Sequence, residues 1–331
     1  MACVKMTNEQ FRSTVAELMQ KYRVVAPVMV EGKKEFAPLT DVALMVLDDE
    51  LSYKSPKEVV FPRVEKIMEF TDEGAKKAQE SISTLLIGAT PCDLDALRVL
   101  DHVFTGEKGK YVDSFYKNNR EHLTIVGMAC QEKKRACFCD LRGIDMSYSD
   151  ACDAFLRRDG DMITLCVLTD KAEGLFKGES AEEFEKHEKL PALLEITADE
   201  AEVYDAMPWE EYVEGCIGCG ACTYICPTCH CFEFRDLTSK AAVNRYRCWD
   251  SCMYPKFTLQ ASGHNPRAAK KERYRQRVLH KYVYIRKNFG DTACTGCGRC
   301  IRSCPGGVNI RKTVQDINNR LEEAKKDDQH G

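Results

Sequence analysis

Cysteine is the residue type that can do chemistry in this chain, and its spacing says which chemistry. The run Cys216-Ile217-Gly218-Cys219-Gly220-Ala221-Cys222-Thr223-Tyr224-Ile225-Cys226-Pro227 reads C-x2-C-x2-C-x3-C-P. The same spacing returns at Cys294, Cys297, Cys300 and Cys304, followed by Pro305. In this doubled pattern three closely spaced thiolates grip one [4Fe–4S] cubane, and the fourth cysteine of each run ligates the other cluster. The spacing therefore predicts Cys216, Cys219, Cys222 and Cys304 around one centre. Cys294, Cys297, Cys300 and Cys226 are expected around the second. Gly218, Gly220, Gly296 and Gly298 let the backbone wrap closely and turn its N–H groups toward sulfur. Structural zinc is the competing chemistry, since C-x2-C pairs also bind zinc. Zinc sites use paired C-x2-C or Cys/His ligands, not two runs of this kind.

Eight of the 19 cysteines are used by that pattern. Cys229, Cys231, Cys248 and Cys252 lie just beyond the first run and form a candidate third cluster site. If Arg245–Met253 is helical, Cys248 and Cys252 share a face. A second foursome lies far upstream: Cys92 and Cys130 follow predicted strands, and Cys137 and Cys139 lie in the loop beyond. It is a candidate site for another cluster. The bland alternative for both sets is buried, reduced thiols that pack as small hydrophobes. Cys3, Cys152 and Cys166 read as bystanders. His230 and His264 are expected to be second-sphere or surface groups before ligands.

The elements that must position these residues divide the chain in two. At 331 residues there is room for two domains. Thr7 or Asn8 can cap a helix carrying Phe11, Val15, Leu18 and Met19 at helical spacing. Strands are predicted at Arg23–Val30, Val42–Leu47, Leu85–Ala89, Leu123–Ala129 and Met162–Leu168. Helices are predicted at Asp93–Phe104 and Asp113–Glu121; Lys57–Phe70, split by Pro62, is left unassigned. This alternation indicates an α/β domain over 1–205, with Met207-Pro208-Trp209 at the boundary. Residues 206–331 are expected to form a mostly helical ferredoxin-like dicluster domain. Its predicted helices are Ala268–Lys287, with Arg273, Arg277 and Lys281 in a stripe, and Asn309–Lys325.

Charge and composition narrow the function. The net charge of −4 hides an asymmetry, with 21 Lys+Arg against 13 Asp+Glu from Met207 onward. A basic stretch can bind nucleic acid, but cubanes with four thiolates are anions, and nearby Arg and Lys offset them. A partner's acidic surface is a further target for that charge. No run of about 18 apolar residues is present, so no membrane span is expected. The first residues lack a signal-peptide core, and many cysteines without one point to metal binding in a reducing cytoplasm, not to disulfides. Neither G-x-G-x-x-G nor G-x-x-x-x-G-K-[ST] occurs, so no standard dinucleotide or triphosphate site is expected.

Longer motifs add a resemblance. They are Cys226-Pro227-Thr228-Cys229-His230-Cys231, Trp249-Asp250-Ser251-Cys252-Met253, Ala261-Ser262-Gly263-His264-Asn265-Pro266-Arg267 and Arg275-Gln276-Arg277-Val278-Leu279-His280-Lys281. Through them the chain resembles the A subunit of anaerobic sulfite reductase and the beta subunit of cytosolic NiFe sulfhydrogenases. The likeness continues upstream through Tyr22-Arg23-Val24-Val25-Ala26-Pro27, Pro91-Cys92-Asp93 and Cys137-Phe138-Cys139, covering nearly the whole chain. The resemblance implies an electron-transfer subunit. It would relay electrons between a flavin/NAD(P)H- or ferredoxin-linked subunit and a catalytic reductase or hydrogenase subunit. It also maps family motifs onto Cys92, Cys130, Cys137, Cys139, Cys229, Cys231 and Cys252, but not onto Cys248.

Two other functions compete. Cys216-x5-Cys222 with Cys248-x3-Cys252 imitates a catalytic sirohaem–cluster spacing, although Cys219 and the proline after Cys226 fit the dicluster run better. An iron–sulfur redox sensor is the other. Its one candidate DNA-reading element is the basic helix Ala268–Lys287, which no helix-turn-helix pattern accompanies.

Overall fold

The computed structural model describes residues 2–48, 50–106, 111–185, 190–205 and 207–330, the side chains of 328–330 excepted. Its first part is built on an eight-stranded mixed sheet of order β10-β1-β9-β8-β7-β6-β2-β3. In chain order these strands are β1 (Cys3–Thr7), β2 (Arg23–Val30), β3 (Lys33–Pro38), β6 (Thr84–Ala89), β7 (Leu123–Met128), β8 (Ala154–Asp159), β9 (Met162–Val167) and β10 (Glu179–Ala181). The central pairs β2–β6, β6–β7 and β7–β8 are parallel, and the outer ones are antiparallel.

β6 and β7 are buried without a break because both faces of a parallel centre are covered. Leu85, Ile87, Val126 and Met128 face the core that contains Phe11, Val15 and Leu18 of helix α1 (Asn8–Leu18). Thr7 caps α1 through a capping box with Gln10. Leu86, Leu123 and Ile125 face the opposite core, beneath α2 (Pro91–Phe104) and α3 (Ser114–Glu121). Cys3 and Cys166 stand opposite each other in β1 and β9 and are joined by a disulfide. This pair departs from the expectation that no disulfide forms.

A second sheet, β11-β12-β4-β5, is antiparallel throughout. β4 (Val64–Thr71) and β5 (Gly74–Lys77) come from the upstream half, β11 (Phe232–Thr238) and β12 (Val243–Trp249) from the insert between the cysteine runs. This overturns the expectation of a mostly helical ferredoxin domain over 206–331. The reason is visible in Phe-Glu-Phe-Arg-Asp-Leu-Thr and Val-Asn-Arg-Tyr-Arg-Cys-Trp, which carry the aromatic and β-branched residues that favour strands. Arg245–Met253 is accordingly not a helix.

The helices of this half are α5 (Ala221–Tyr224), α6 (Lys270–Leu279), α7 (Ile285–Phe289), α8 (Arg299–Arg302) and α9 (Ile310–His330); α4 (Glu200–Tyr204) precedes them. A π-helical turn, His280–Tyr284, joins α6 to α7. Tyr274, Val278 and Tyr282 pack against Val314 and Ile317 of α9 and against Val203, Met207 and Trp209. One upstream prediction also fails: Val42–Leu47 begins as a 3-10 turn, Val42–Leu44, in which the Asp41 carboxylate accepts from the Ala43 N–H. Met45 and Leu47 are buried there outside any strand.

Candidate iron–sulfur site

The first run folds around its glycines. Gly218 and Gly220 take φ of +71° and +73°, the left-handed region that favours glycine. A Cβ on Gly220 would lie 2.7 Å from the Tyr254 ring, whose Oη donates to the Cys219 carbonyl. Cys216, Cys219 and Cys222 line one cavity, and Cys304 from the second run joins them. A backbone contact draws the distant fourth cysteine in: a Cβ on Gly306 would lie 1.7 Å from the Gly215 carbonyl oxygen. The Val308 N–H donates to Cys304 Sγ at 3.3 Å. Cys219 is exposed, and Ile217 beside it is 71% exposed.

Cys294, Cys297 and Cys300 line a second cavity with Cys226 and Lys281. Its loop abuts the upstream half. A Cβ on Gly298 would lie 2.3 Å from the Ala136 carbonyl oxygen, and one on Gly296 would lie 2.6 Å from the Cys139 nitrogen. The Phe138 N–H donates to the Gly296 carbonyl at 2.7 Å. Arg299 then locks the two halves together. Its guanidinium is bidentate to Asp93 at 2.5 and 2.9 Å and also donates to the Ser52 carbonyl and hydroxyl, with both charged side chains fully buried. Among the described residues, the buried Thr295 hydroxyl near this cavity has no hydrogen-bond partner.

The upstream foursome converges beside this second cavity. Cys92 and Cys139 pack directly on Cys297, and Cys137 Sγ donates to the Cys297 carbonyl at 3.5 Å. Cys139 feels the charge of Cys137 and Cys130, and burial first of all pushes its thiol up to about 12. Burial, then Asp93, raises Cys92 well above the usual thiol range. Neutral thiols are thus disfavoured as ions here unless a cation or metal compensates them.

The second extra set is only partly gathered. Cys229 is hydrogen-bonded to Cys226, and Cys252 to Cys231. That contact with Cys252 lowers the Cys231 thiol, helped by Arg277 and Lys281 despite burial. Cys248 instead lies in mid-strand opposite Glu233 and Val64, in the field of Arg235. Cys152 is buried apart from these groups, donating to the Ser149 carbonyl. His264 is exposed. His230 is half-buried; desolvation lowers its pKa to about 4, and its Nδ1 meets the Thr228 carbonyl at 3.0 Å.

The basic stripe on α6 turns inward. Arg277 donates to Cys229 Sγ at 3.3 Å and to the Cys222 carbonyl at 2.9 Å. Lys281 donates to Thr228 Oγ1 at 2.7 Å. Lys57, which nothing in the sequence singled out, reaches across from the upstream half to the carbonyls of Cys226 and Cys229. It also lies 3.9 Å from the centroid of the Trp249 ring. Among the described residues no group of three His, Cys, Asp or Glu is arranged to hold a single metal ion. A lone zinc needs its thiolates about 2.3 Å from one point, whereas the two runs line cavities, as a four-iron cage requires.

This arrangement defines an iron–sulfur protein with paired cluster loops, and residues 215–308 match the family model of the 4Fe-4S dicluster domain. Along 97% of its length the chain is 28% identical to sulfhydrogenase 2 subunit beta of Pyrococcus furiosus, all of which is covered. The chain is thus similar to that subunit over nearly its whole length and carries the pattern of a 4Fe-4S dicluster domain. No solved structure matches the chain.

Proposed function

We propose that the chain is the electron relay of a cytoplasmic hydrogenase- or reductase-type complex. It would pass electrons between a flavin/NAD(P)H- or ferredoxin-linked subunit and a catalytic subunit. A bound [4Fe–4S] cluster supplies one-electron chemistry at a potential set by its surroundings. The chain's own residues supply the rest. Cys216, Cys219, Cys222 and Cys304 hold one cluster, and Cys294, Cys297, Cys300 and Cys226 hold the second. The observation that supports this assignment is the crossed lining of the two cavities: Cys304 joins the first run at one, Cys226 joins the second run at the other, and Cys300 borders both.

Several contacts support the fit. The left-handed glycines leave no room for a Cβ at Gly220, Gly296 or Gly298. Val308 N–H and Arg277 already donate to sulfur. Cys92, Cys130, Cys137 and Cys139 are the residues for a further cluster beside Cys297, which extends the relay into the upstream half. Cys229, Cys231 and Cys252 are the residues for another. The exposed Cys219 end is the outlet toward a partner. No helix among the described residues is long and apolar enough to cross a membrane.

The test is iron and acid-labile sulfide per chain on anaerobically purified protein, with EPR after reduction. About eight irons correspond to two cubanes, and about twelve or sixteen to one or two more. Cys297→Ala should lose about four irons and the relay activity of the assembled complex. Zinc without sulfide, or full turnover by that variant, would overturn the assignment.

A further inference from the structure

Buried cations among the described residues fall into three kinds. Lys34, Arg142, Arg247 and Arg299 are each paired with a carboxylate: Asp48, Glu195, Glu65 with Asp113, and Asp93. Arg273 is held by the carbonyls of Arg267 and Ala268. Lys57, Arg277 and Lys281 differ. They are 2%, 3% and 4% exposed, and among the described residues none forms an ion pair with a carboxylate.

All three converge on residues 222–229. Lys57 takes the carbonyls of Cys226 and Cys229, Arg277 the Cys222 carbonyl and Cys229 sulfur, and Lys281 the Thr228 hydroxyl. Removing an ion from water without a counter-charge costs several kcal/mol, and here like charges also face one another. Apart from each other, their charged neighbours are cysteines, chiefly Cys222, Cys226, Cys229 and Cys300. The missing negative charge therefore belongs to whatever those cysteines hold. The upstream foursome has a different balance: its buried cation, Arg299, is neutralised by Asp93, while Lys133, paired with Asp140, and Arg302, which also act on Cys137, are exposed to solvent.

We infer that Lys57, Arg277 and Lys281 are tuning residues that raise the reduction potential of the centres built on residues 222–231 above that of the centre beside Cys92. This rests on the cluster assignment above. Reduction adds one negative charge to a centre, and uncompensated buried cations favour the charged form. The resulting order makes transfer of one electron from the Cys92 side toward the Arg277 side downhill. No bond forms or breaks, and the electron comes from the complex's one-electron donor.

The test is an EPR-monitored redox titration of the whole iron-loaded chain, with iron counted in parallel. Arg277→Met should shift a midpoint negative by at least tenfold in the one-electron equilibrium constant, about 59 mV. Arg277→Lys should restore most of that shift. The signal from the Cys92 side should stay where it is. Lys57→Met, which removes bonds to carbonyls and none to sulfur, should give a shift of the same sign and serves where Arg277→Met fails to load iron. Unmoved midpoints in loaded Arg277→Met or Lys57→Met protein would overturn the inference. Absence of iron from the unmodified chain would instead overturn the cluster assignment.

Discussion

His280 shows what burial does to a single side chain at this site. Its ring lies 5.4 Å from that of His230 at a steep angle. Burial first, then the charges of His230, Lys281, Arg267 and Arg277, lower its pKa to about 3. The unfolded value is about 6.5. The unfolded chain therefore binds this proton more readily, and stability is lost as the pH falls from 6.5 toward 3. Between pH 7.5 and 5.5 the loss from this one group is about 1.4 kcal/mol. His280→Leu should flatten the acid limb by that amount, read from urea midpoints at the two pH values. An unchanged pH slope would show that the ring is not held neutral. His230, also lowered by burial, would carry the remaining slope.

At the scale of the element, the hairpin β11–β12 explains why the insert between the cysteine runs is not simply a spacer. Ser239 closes its turn by hydrogen bonds with Ala242. One face carries Phe232, Arg247 and Trp249 into the core of the upstream half. Trp249 stacks on Phe61 at 6.0 Å and donates from its indole N–H to the Phe61 carbonyl at 3.1 Å. Arg247 is buried against Glu65 and Asp113. The hairpin thereby holds the Cys226–Cys231 segment, at the foot of β11, against Lys57. Trp249→Ala should cost about 3–5 kcal/mol, since it leaves a large cavity and strands a buried carbonyl. Urea denaturation checks this, and a loss below about 1 kcal/mol would mean the hairpin docks by its ion pairs alone.

Across the whole molecule, the two halves are joined by several ion pairs and by a shared sheet. The Arg299–Asp93 pair ties α8, in the second cluster loop, to α2, which begins at the upstream cysteine group. Removing one partner leaves a buried ion uncompensated, at about 3–5 kcal/mol. Asp93→Ala should therefore lower the urea midpoint by that amount and loosen the contact of Gly296 and Gly298 with residues 136–139. Faster proteolysis within residues 130–146 would report that loosening. An unaltered midpoint and cleavage pattern would show that the halves do not depend on this pair.

Much of this was legible from residue order. The two C-x2-C-x2-C-x3-C-P runs predict their own cages, because three ligands within seven residues leave the backbone little choice and the positive-φ glycines agree. α1, α2, β6 and β7 follow from apolar periodicity. The helix from Lys270 to Phe289 was readable too, although not which side its cations face. Arg277 and Lys281 look like part of a solvated stripe until residues 222–229 pack onto them. The hairpin is marked in the sequence only by aromatic and β-branched residues without strict alternation, a weaker signal than the helical periodicity farther along the insert. Lys57 carries no local signal, because its partners lie about 170 residues away. Convergence of Cys92, Cys130, Cys137 and Cys139 beside Cys297 depends on sheet order and on glycine-to-backbone contacts between the halves. Which cysteines the cluster proposal uses is written in spacing, a local property. Which charges surround them is decided by burial, which exists only once distant segments have packed.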